Sequence, residues 1–205
     1  MRVVWDFGGV LFRWDPAALV ARTLPHRITA ERDALHWKEQ FFLSYRGEWG
    51  EFDRGVTGVP EMVPRIARRT GLSEAEVRAV VDAVPAELQP IDECVLLLTA
   101  LRERGHPLHY LSNMPAPLAD HLQRQHAFLG LFDSGIYSSH VQITKPDPAI
   151  FALAQQRFGG DPAETLFIDD HPENIEAARR HGWQAILFSG PQPLRLELQA
   201  RGLID

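Results

Sequence analysis

The residues able to do chemistry are scattered along the 205-residue chain, yet each stands at the end of a short apolar run or in the loop after one. Asp6 closes Val3-Val4-Trp5. Ser112 and Asn113 close the run ending at Leu111, Lys145 follows Gly135 to Tyr137 by a loop, and Asp169 and Asp170 follow Leu166 to Ile168. Aspartate is poor in strands and costly to bury unpaired, so a strand that stops on Asp6 asks for a cationic partner or a turn. If the runs are neighbouring strands, three carboxylates, a hydroxyl, an amide and one ammonium converge. Three acids cannot share a pocket in ionised form without a cation, so the set calls for a metal or the lysine. An all-oxygen ligand set suits Mg²⁺, which takes a few carboxylates and leaves positions for water and phosphate oxygens. Of 21 basic residues only Lys38 and Lys145 are lysine, which singles out Lys145 as a place for a compact ammonium.

The pattern around these residues predicts the elements that position them. Strands are expected at Val3 to Trp5, Leu108 to Leu111, Gly135 to Tyr137, Leu166 to Ile168 and Ala185 to Phe188, with helices near 91–104, 116–127, 148–158, 173–181 and 193–201. Strand-helix alternation predicts an α/β fold with a doubly wound parallel sheet, whose ligand crevice lies at the carboxyl ends of its strands. Asp15-Pro16, Asp147-Pro148 and His171-Pro172 mark helix starts, and Gly105 and Gly182 follow helix ends. Residues 15–88 break the rhythm. They carry no strand but hold amphipathic segments near 30–45, 58–69 and 74–83, the last opened by a Ser73 and Glu76 capping box. The expected organisation is a core of 1–14 and 89–205 with a helical cap of 15–88 over the sheet edge.

In this order the residues resemble a family. Asp6-x-Gly8-Gly9-Val10, Leu111-Ser112-Asn113, Lys145-Pro146 and Phe167-Ile168-Asp169-Asp170-x-x-x-Asn174 are similar to the four motifs of the haloacid dehalogenase-like hydrolases, spread over nearly the whole chain. The insertion resembles the helical cap of its phosphatase branch. The stretches DFGGVLFRWDP and RGEWGEFDRGVTG are similar to members related to alpha-D-glucose-1-phosphate phosphatase, and more distantly to the phosphatase domain of soluble epoxide hydrolases. The resemblance implies a Rossmann-like core and a Mg²⁺-dependent phosphatase acting on a small phosphorylated metabolite. Asp6 is then the nucleophile that forms an aspartyl-phosphate, and Lys145 neutralises phosphate charge and restrains Asp6. Ser112 and Asn113 bind phosphate oxygens near a helix start. Asp6, the Gly8 carbonyl, Asp169 and Asp170 hold the metal, with Asp170 direct and Asp169 acting through water or by orientation. Asn174 fixes the acidic loop.

Gly8 departs from the family pattern, which usually carries a second Asp there to protonate the leaving oxygen. General acid-base help is worth about 10²- to 10⁴-fold, so a glycine suits an activated leaving group such as that of a sugar 1-phosphate. Two rivals remain. A 2-haloacid dehalogenase would use the same Asp6 on carbon without metal, and a degenerate member would bind phosphate without turnover. Specificity is expected from the insertion, with Arg46, Glu48, Trp49 and Arg54 as candidates. Asp15 and Asp147 read as helix N-caps, and His171 as a cap or a solvent-facing ring.

Net charge is −6 with no basic run, which argues against nucleic acid. No apolar stretch approaches the roughly 20 residues of a membrane span, and the first charged motif comes too early for a signal peptide, so a cytoplasmic location is expected. Cys94, the one cysteine, falls on the apolar stripe of Ile91, Val95, Leu98 and Leu101 and reads as a core thiol. Oligomeric state is not legible.

Overall fold

The computed structural model describes the whole chain apart from the side chain of Glu31. Five parallel strands lie in the order β3-β2-β1-β4-β5: β1 (Arg2–Trp5), β2 (Leu108–Ser112), β3 (Ser134–Tyr137), β4 (Thr165–Asp169) and β5 (Gln184–Leu187). All five expected strands form. Val3 stands level with Leu108 on one side and Leu166 on the other, so β1 is central and its end opens between β2 and β4. The chain runs outward from β1 to β3 and then returns to build β4 and β5, which makes the end of β1 the switch point of the sheet.

Strand alternation sorts the core into two layers. Val3, Trp5, Leu108, Leu166 and Ile168 join one apolar cluster, whereas Val4, Leu111, Ile136 and Phe167 join the other. Both faces are therefore covered, as the continuous apolar runs require. The covering helices are α6 (Asp92–Glu103), α7 (Ala116–Gln125), α9 (Pro148–Phe158), α10 (Pro172–Arg180) and α11 (Pro191–Ala200), with a short α8 (Ser138–Val141) after β3. Cys94 is buried in α6, and burial pushes its thiol up to about 12, as befits a core thiol.

Between β1 and α6 the chain forms α1 (Pro16–Thr23), α2 (Glu31–Phe42), α3 (Glu48–Asp53), α4 (Val59–Thr70) and α5 (Glu74–Glu87). Local signals set these boundaries. Asp15 accepts from the Ala18 amide at 2.9 Å, and Ser73 and Glu76 exchange the reciprocal bonds of a capping box. Helix α3 is short and carried no clear periodicity. The two ends of the insertion are stitched together: Arg13 N donates to Gln89 O at 2.8 Å, and Ile91 N to Leu11 O at 2.8 Å. The helical block therefore enters and leaves beside the end of β1.

The link between β1 and the insertion is a tight loop organised on one carbonyl. Phe7 O accepts the amides of Val10, Leu11 and Phe12 at 3.2, 2.9 and 2.8 Å. Its ring is wholly buried and meets Tyr110, Phe12 and Tyr137 at centroid distances of 4.8, 5.4 and 5.6 Å. Replacing Phe7 with Ala removes a ring that fixes this loop to the sheet. The expected cost is about 3–5 kcal/mol of folding stability, read from the shift of a urea unfolding midpoint.

Candidate active site

Every strand-end residue singled out in the sequence except Ser112, Asp169 and Asp170 lines one cavity of about 430 Å³ between the sheet edge and the insertion. Asp169 and Asp170 lie beside Asp6 at its floor, and Ser112 directly precedes the lining residue Asn113. Lys145 is the hub: its Nζ lies 2.9 Å from Asp6 Oδ1 and 2.6 Å from Asp169 Oδ2, and the residue is 4% exposed. Its backbone is clamped by Asn113, whose Oδ1 accepts the Lys145 amide at 2.8 Å and whose Nδ2 donates to the Lys145 carbonyl at 3.0 Å. Burial pulls the ammonium down, but Asp169 and Asp6 outweigh it and its pKa rises. Lys145 is thus held charged in a dry place.

The adjacent acids have different surroundings. Asp169, fully buried, receives Lys145 Nζ, the His171 amide at 2.8 Å and Asn174 Nδ2 at 2.9 and 3.0 Å. Its oxygens are occupied, and Asn174 does fix the acidic loop. Asp170 is the opposite case: its Oδ1 is buried without any hydrogen-bond partner, which is costly unless something else meets it. Ser112 Oγ at the end of β2 is a second buried orphan. Oxygens of Asp6, Asp169 and Asp170 lie within 4.8 Å of one another. Three carboxylates against one ammonium leave two negative charges, the charge that one divalent cation would cancel. Burial first, and then Asp169 and Asp170 against the pull of Lys145, push Asp6 up to about 7. Burial raises Asp170 as well.

A glycine that the sequence reading passed over shapes this floor. Gly9 has φ +81°, and a Cβ there would meet Asp170 Oδ2 at 2.4 Å. Asp170 therefore lies against bare backbone. At Gly8 the nearest atoms to such a Cβ are those of Trp14 at 3.8 Å, an ordinary contact.

The insertion supplies the upper wall. Arg46, Trp49 and Arg54 line the cavity as expected, but Glu48 does not; it pairs with Arg69 at 2.9 Å inside the insertion. Trp14, Tyr45, Val84, Leu88, Met114 and Leu118 also line it. The indole of Trp14 donates to Tyr45 Oη at 2.9 Å, and burial pushes Tyr45 up to about 12. The backbone through Leu43, Ser44 and Tyr45 has φ of 45°, 48° and 61°, a left-handed run that non-glycine residues rarely adopt. His171 is half-exposed, 3.9 Å from Asp170 Oδ2 and edge-on to Tyr45 at 6.0 Å.

Asp53, at the last turn of α3, is the residue sequence reasoning missed. It lies between two selected neighbours, Trp49 and Arg54, and lines the same cavity as Asp6 while being only 5% exposed. Burial, and then the charge of Asp6, raise its carboxyl well above the usual range, against smaller pulls from Lys145 and Trp49.

The family model for haloacid dehalogenase-like hydrolases matches residues 1–182. The sesquiterpene phosphatase astK of Aspergillus oryzae is 28% identical over 197 residues, covering 96% of this chain and 93% of its own. The drimenol cyclase drtB of Aspergillus calidoustus is 24% identical over 202 residues, 96% of this chain but 35% of that longer protein. Among solved structures, the fold is shared with enzyme bt-2542 of Bacteroides thetaiotaomicron in complex with magnesium and inorganic phosphate. The TM-score is 0.69 at 23% identity, over 90% of this chain and 92% of that one. Among the described residues, no helix is long and apolar enough to cross a membrane.

Two outcomes follow from the floor. Gly9→Ala is expected to displace Asp170 and so to weaken the hold of these carboxylates on a divalent cation, whereas Gly8→Ala is not; titration calorimetry of both variants and the wild type with Mg²⁺ checks this. The second concerns pH. Without a cation, folding takes up a proton at Asp6 between its ordinary value of 3.8 and about 7, so its contribution to stability is full below that window and lost as pH rises through it. Denaturation of the wild type relative to Asp6→Asn, in chelator, should show this fall, and excess Mg²⁺ should diminish it.

Proposed function

Because the chain belongs to the haloacid dehalogenase-like hydrolase family, we propose that it is a Mg²⁺-dependent phosphatase that hydrolyses a small phosphorylated metabolite through an aspartyl-phosphate on Asp6. One observation carries the reading: an orphaned buried oxygen on Asp170 beside two further carboxylates with only one ammonium between them. A dehalogenase working without metal would leave that oxygen unmet. The phosphatase astK and the magnesium and phosphate complex of bt-2542 support the same reading.

In this reading Asp6, the Gly8 carbonyl and Asp170 hold the Mg²⁺, and Asp169, saturated by Lys145, His171 and Asn174, orients the set. Bound Mg²⁺ neutralises charge so that an anionic ester can approach an anionic nucleophile. Asp6 needs no base to be activated, because a carboxylate kept ionised by cations is already nucleophilic. Its free oxygen attacks phosphorus in line, the bond to the leaving oxygen breaks, and water later cleaves the acyl phosphate. Lys145 stabilises the charge spread over the phosphoryl oxygens, and Ser112 Oγ and the Asn113 backbone donate to them. Residues 15–88 act as the cap domain over the core of 1–14 and 89–205.

The leaving group lies between the insertion and the core, where Trp49, Val84 and Leu88 of the insertion and Trp14, Met114 and Leu118 of the core line the cavity with apolar side chains. These apolar side chains can receive a hydrocarbon-bearing alcohol, in keeping with the name of the sesquiterpene phosphatase astK, while Arg46, Arg54 and Glu173 on the same cavity leave polar partners for a sugar such as the 1-phosphate expected from Gly8.

The test is phosphate release from matched alkyl, prenyl and sugar phosphates, with Mg²⁺ or with chelator. Release is expected only with Mg²⁺ and to be fastest on hydrocarbon esters. Asp6→Asn should abolish it, and Lys145→Met should lower it about 10³-fold, the scale of a lost transition-state donor. Full activity in Asp6→Asn, or halide release without Mg²⁺, would refute the assignment.

A further inference from the structure

Phosphate esters of simple alcohols leave as strongly basic alkoxides, and a positioned acid is normally required to protonate them. In this chain the position two residues after the nucleophile has no side chain, and the room beyond Gly8 belongs to Trp14. The cavity nevertheless holds a carboxyl, Asp53, whose side chain has Trp49 as its hydrogen-bonding neighbour and, among the described residues, no cation paired with it. Asp53 joins no ion pair among the described residues, although Arg54 follows it in sequence and Arg46 lines the same cavity. A buried acid without a cation destabilises a fold, so its place on the wall facing Asp6 calls for another account.

Its position is engineered by contacts outside the site. The Asp53 carbonyl accepts from Ser138 Oγ at 2.5 Å, and the same Oγ accepts the Met114 amide at 2.9 Å. One hydroxyl thus ties the end of α3 to the start of α8 and to the loop that carries Asn113. Two residues on, Gly55 at φ +72° lies so close to Ser139 that a Cβ would come within 2.6 Å of its carbonyl oxygen. The insertion is seated on the core at the turn that presents Asp53 to the cavity.

Other groups fit the role less well. Tyr45 holds its proton too tightly, with its pKa pushed up to about 12. His171 and Glu173 stand at the open rim; the His171 ring is 51% exposed and the Glu173 side chain 71% exposed.

We propose that Asp53, carried by the helical insertion, is the general acid and base that Gly8 leaves missing. In the first step the Asp6 oxygen-phosphorus bond forms, the bond from phosphorus to the leaving oxygen breaks, and the Asp53 proton passes to that oxygen to give the alcohol. In the second step water attacks phosphorus, gives a proton to the Asp53 carboxylate, and the phosphorus bond to Asp6 breaks, releasing phosphate with Asp53 reprotonated. Burial that favours the protonated carboxyl before the first step agrees with this cycle. The proposal rests on the phosphatase reading above.

The experiment measures kcat/KM for a graded series from dinitrophenyl phosphate to alkyl phosphates, with Mg²⁺, in wild type, Asp53→Asn and Ser138→Ala. For Asp53→Asn the expected loss is about 10²- to 10⁴-fold on alkyl esters and no more than about threefold on dinitrophenyl phosphate, which needs no proton. Because water activation is slowed too, the variant should show a burst of dinitrophenolate and accumulate phosphoenzyme. Ser138→Ala should show the same leaving-group selectivity at smaller amplitude, and it tests the idea even if Asp53→Asn folds poorly. An equal loss on every ester in both variants would mark a structural role and overturn the proposal, as would unchanged alkyl ester turnover in Asp53→Asn. Absence of phosphate release from wild type on the whole series would instead sink the phosphatase reading, and the proposal with it.

Discussion

The structure turns on a shortage of positive charge at the end of β1. Asp6, Asp169 and Asp170 are brought to one point by the ends of β1 and β4, and among the described residues Lys145 is the one lysine or arginine paired with them, reaching Asp6 at 2.9 Å and Asp169 at 2.6 Å. Lys145, the His171 amide and Asn174 saturate the Asp169 oxygens, and this leaves Asp6 and Asp170 short of compensation. That shortage is what suits the site to a divalent ion and, beyond it, to a phosphoryl group that brings its own negative charge.

Around this point the chain spends its irregular backbone. Gly9 has φ +81° and Asp170 occupies the space a side chain there would need, and the run through Leu43, Ser44 and Tyr45 is left-handed where it borders the cavity. The buried oxygens of Ser112 and Asp170 at the strand ends have no protein partner. Such features cost stability wherever they occur, and here they share one sheet edge. The two apolar layers, with Phe7 wedged beneath the loop after Asp6, supply the stability that offsets them.

The helical insertion is more than a cover. Its ends are stitched beside the end of β1, and Ser138 ties its middle to the turn after β3, so α3 is held from two directions. This gives the insertion's side of the cavity a defined chemistry, apolar at Trp49, Val84 and Leu88 and acidic at Asp53. In the family to which the chain belongs, the floor carries the shared chemistry, and in our reading the wall carries this protein's own.

Much of this was legible from residue order. Short apolar runs ending on acids placed all five strands, Pro and Asp marked the helix starts, and the spacing of Asp6, Lys145, Asp169 and Asp170 set out the floor, because these are local signals or fixed positions relative to strands. What sequence could not show depends on juxtaposition across the chain. Nothing local distinguishes Asp169 from Asp170; the reach of Lys145 and Asn174 saturates the first and leaves the second bare. Nothing local reveals that Gly9 rather than Gly8 is required by packing, since the atom it avoids lies 161 residues away in sequence. Glu48 and Asp53 are five residues apart on one short helix, yet one faces Arg69 and the other the cavity. The sequence by itself determined which groups stand at the strand ends; only the tertiary structure decided which of them remain uncompensated, because compensation is set by distance and burial between elements far apart in the chain.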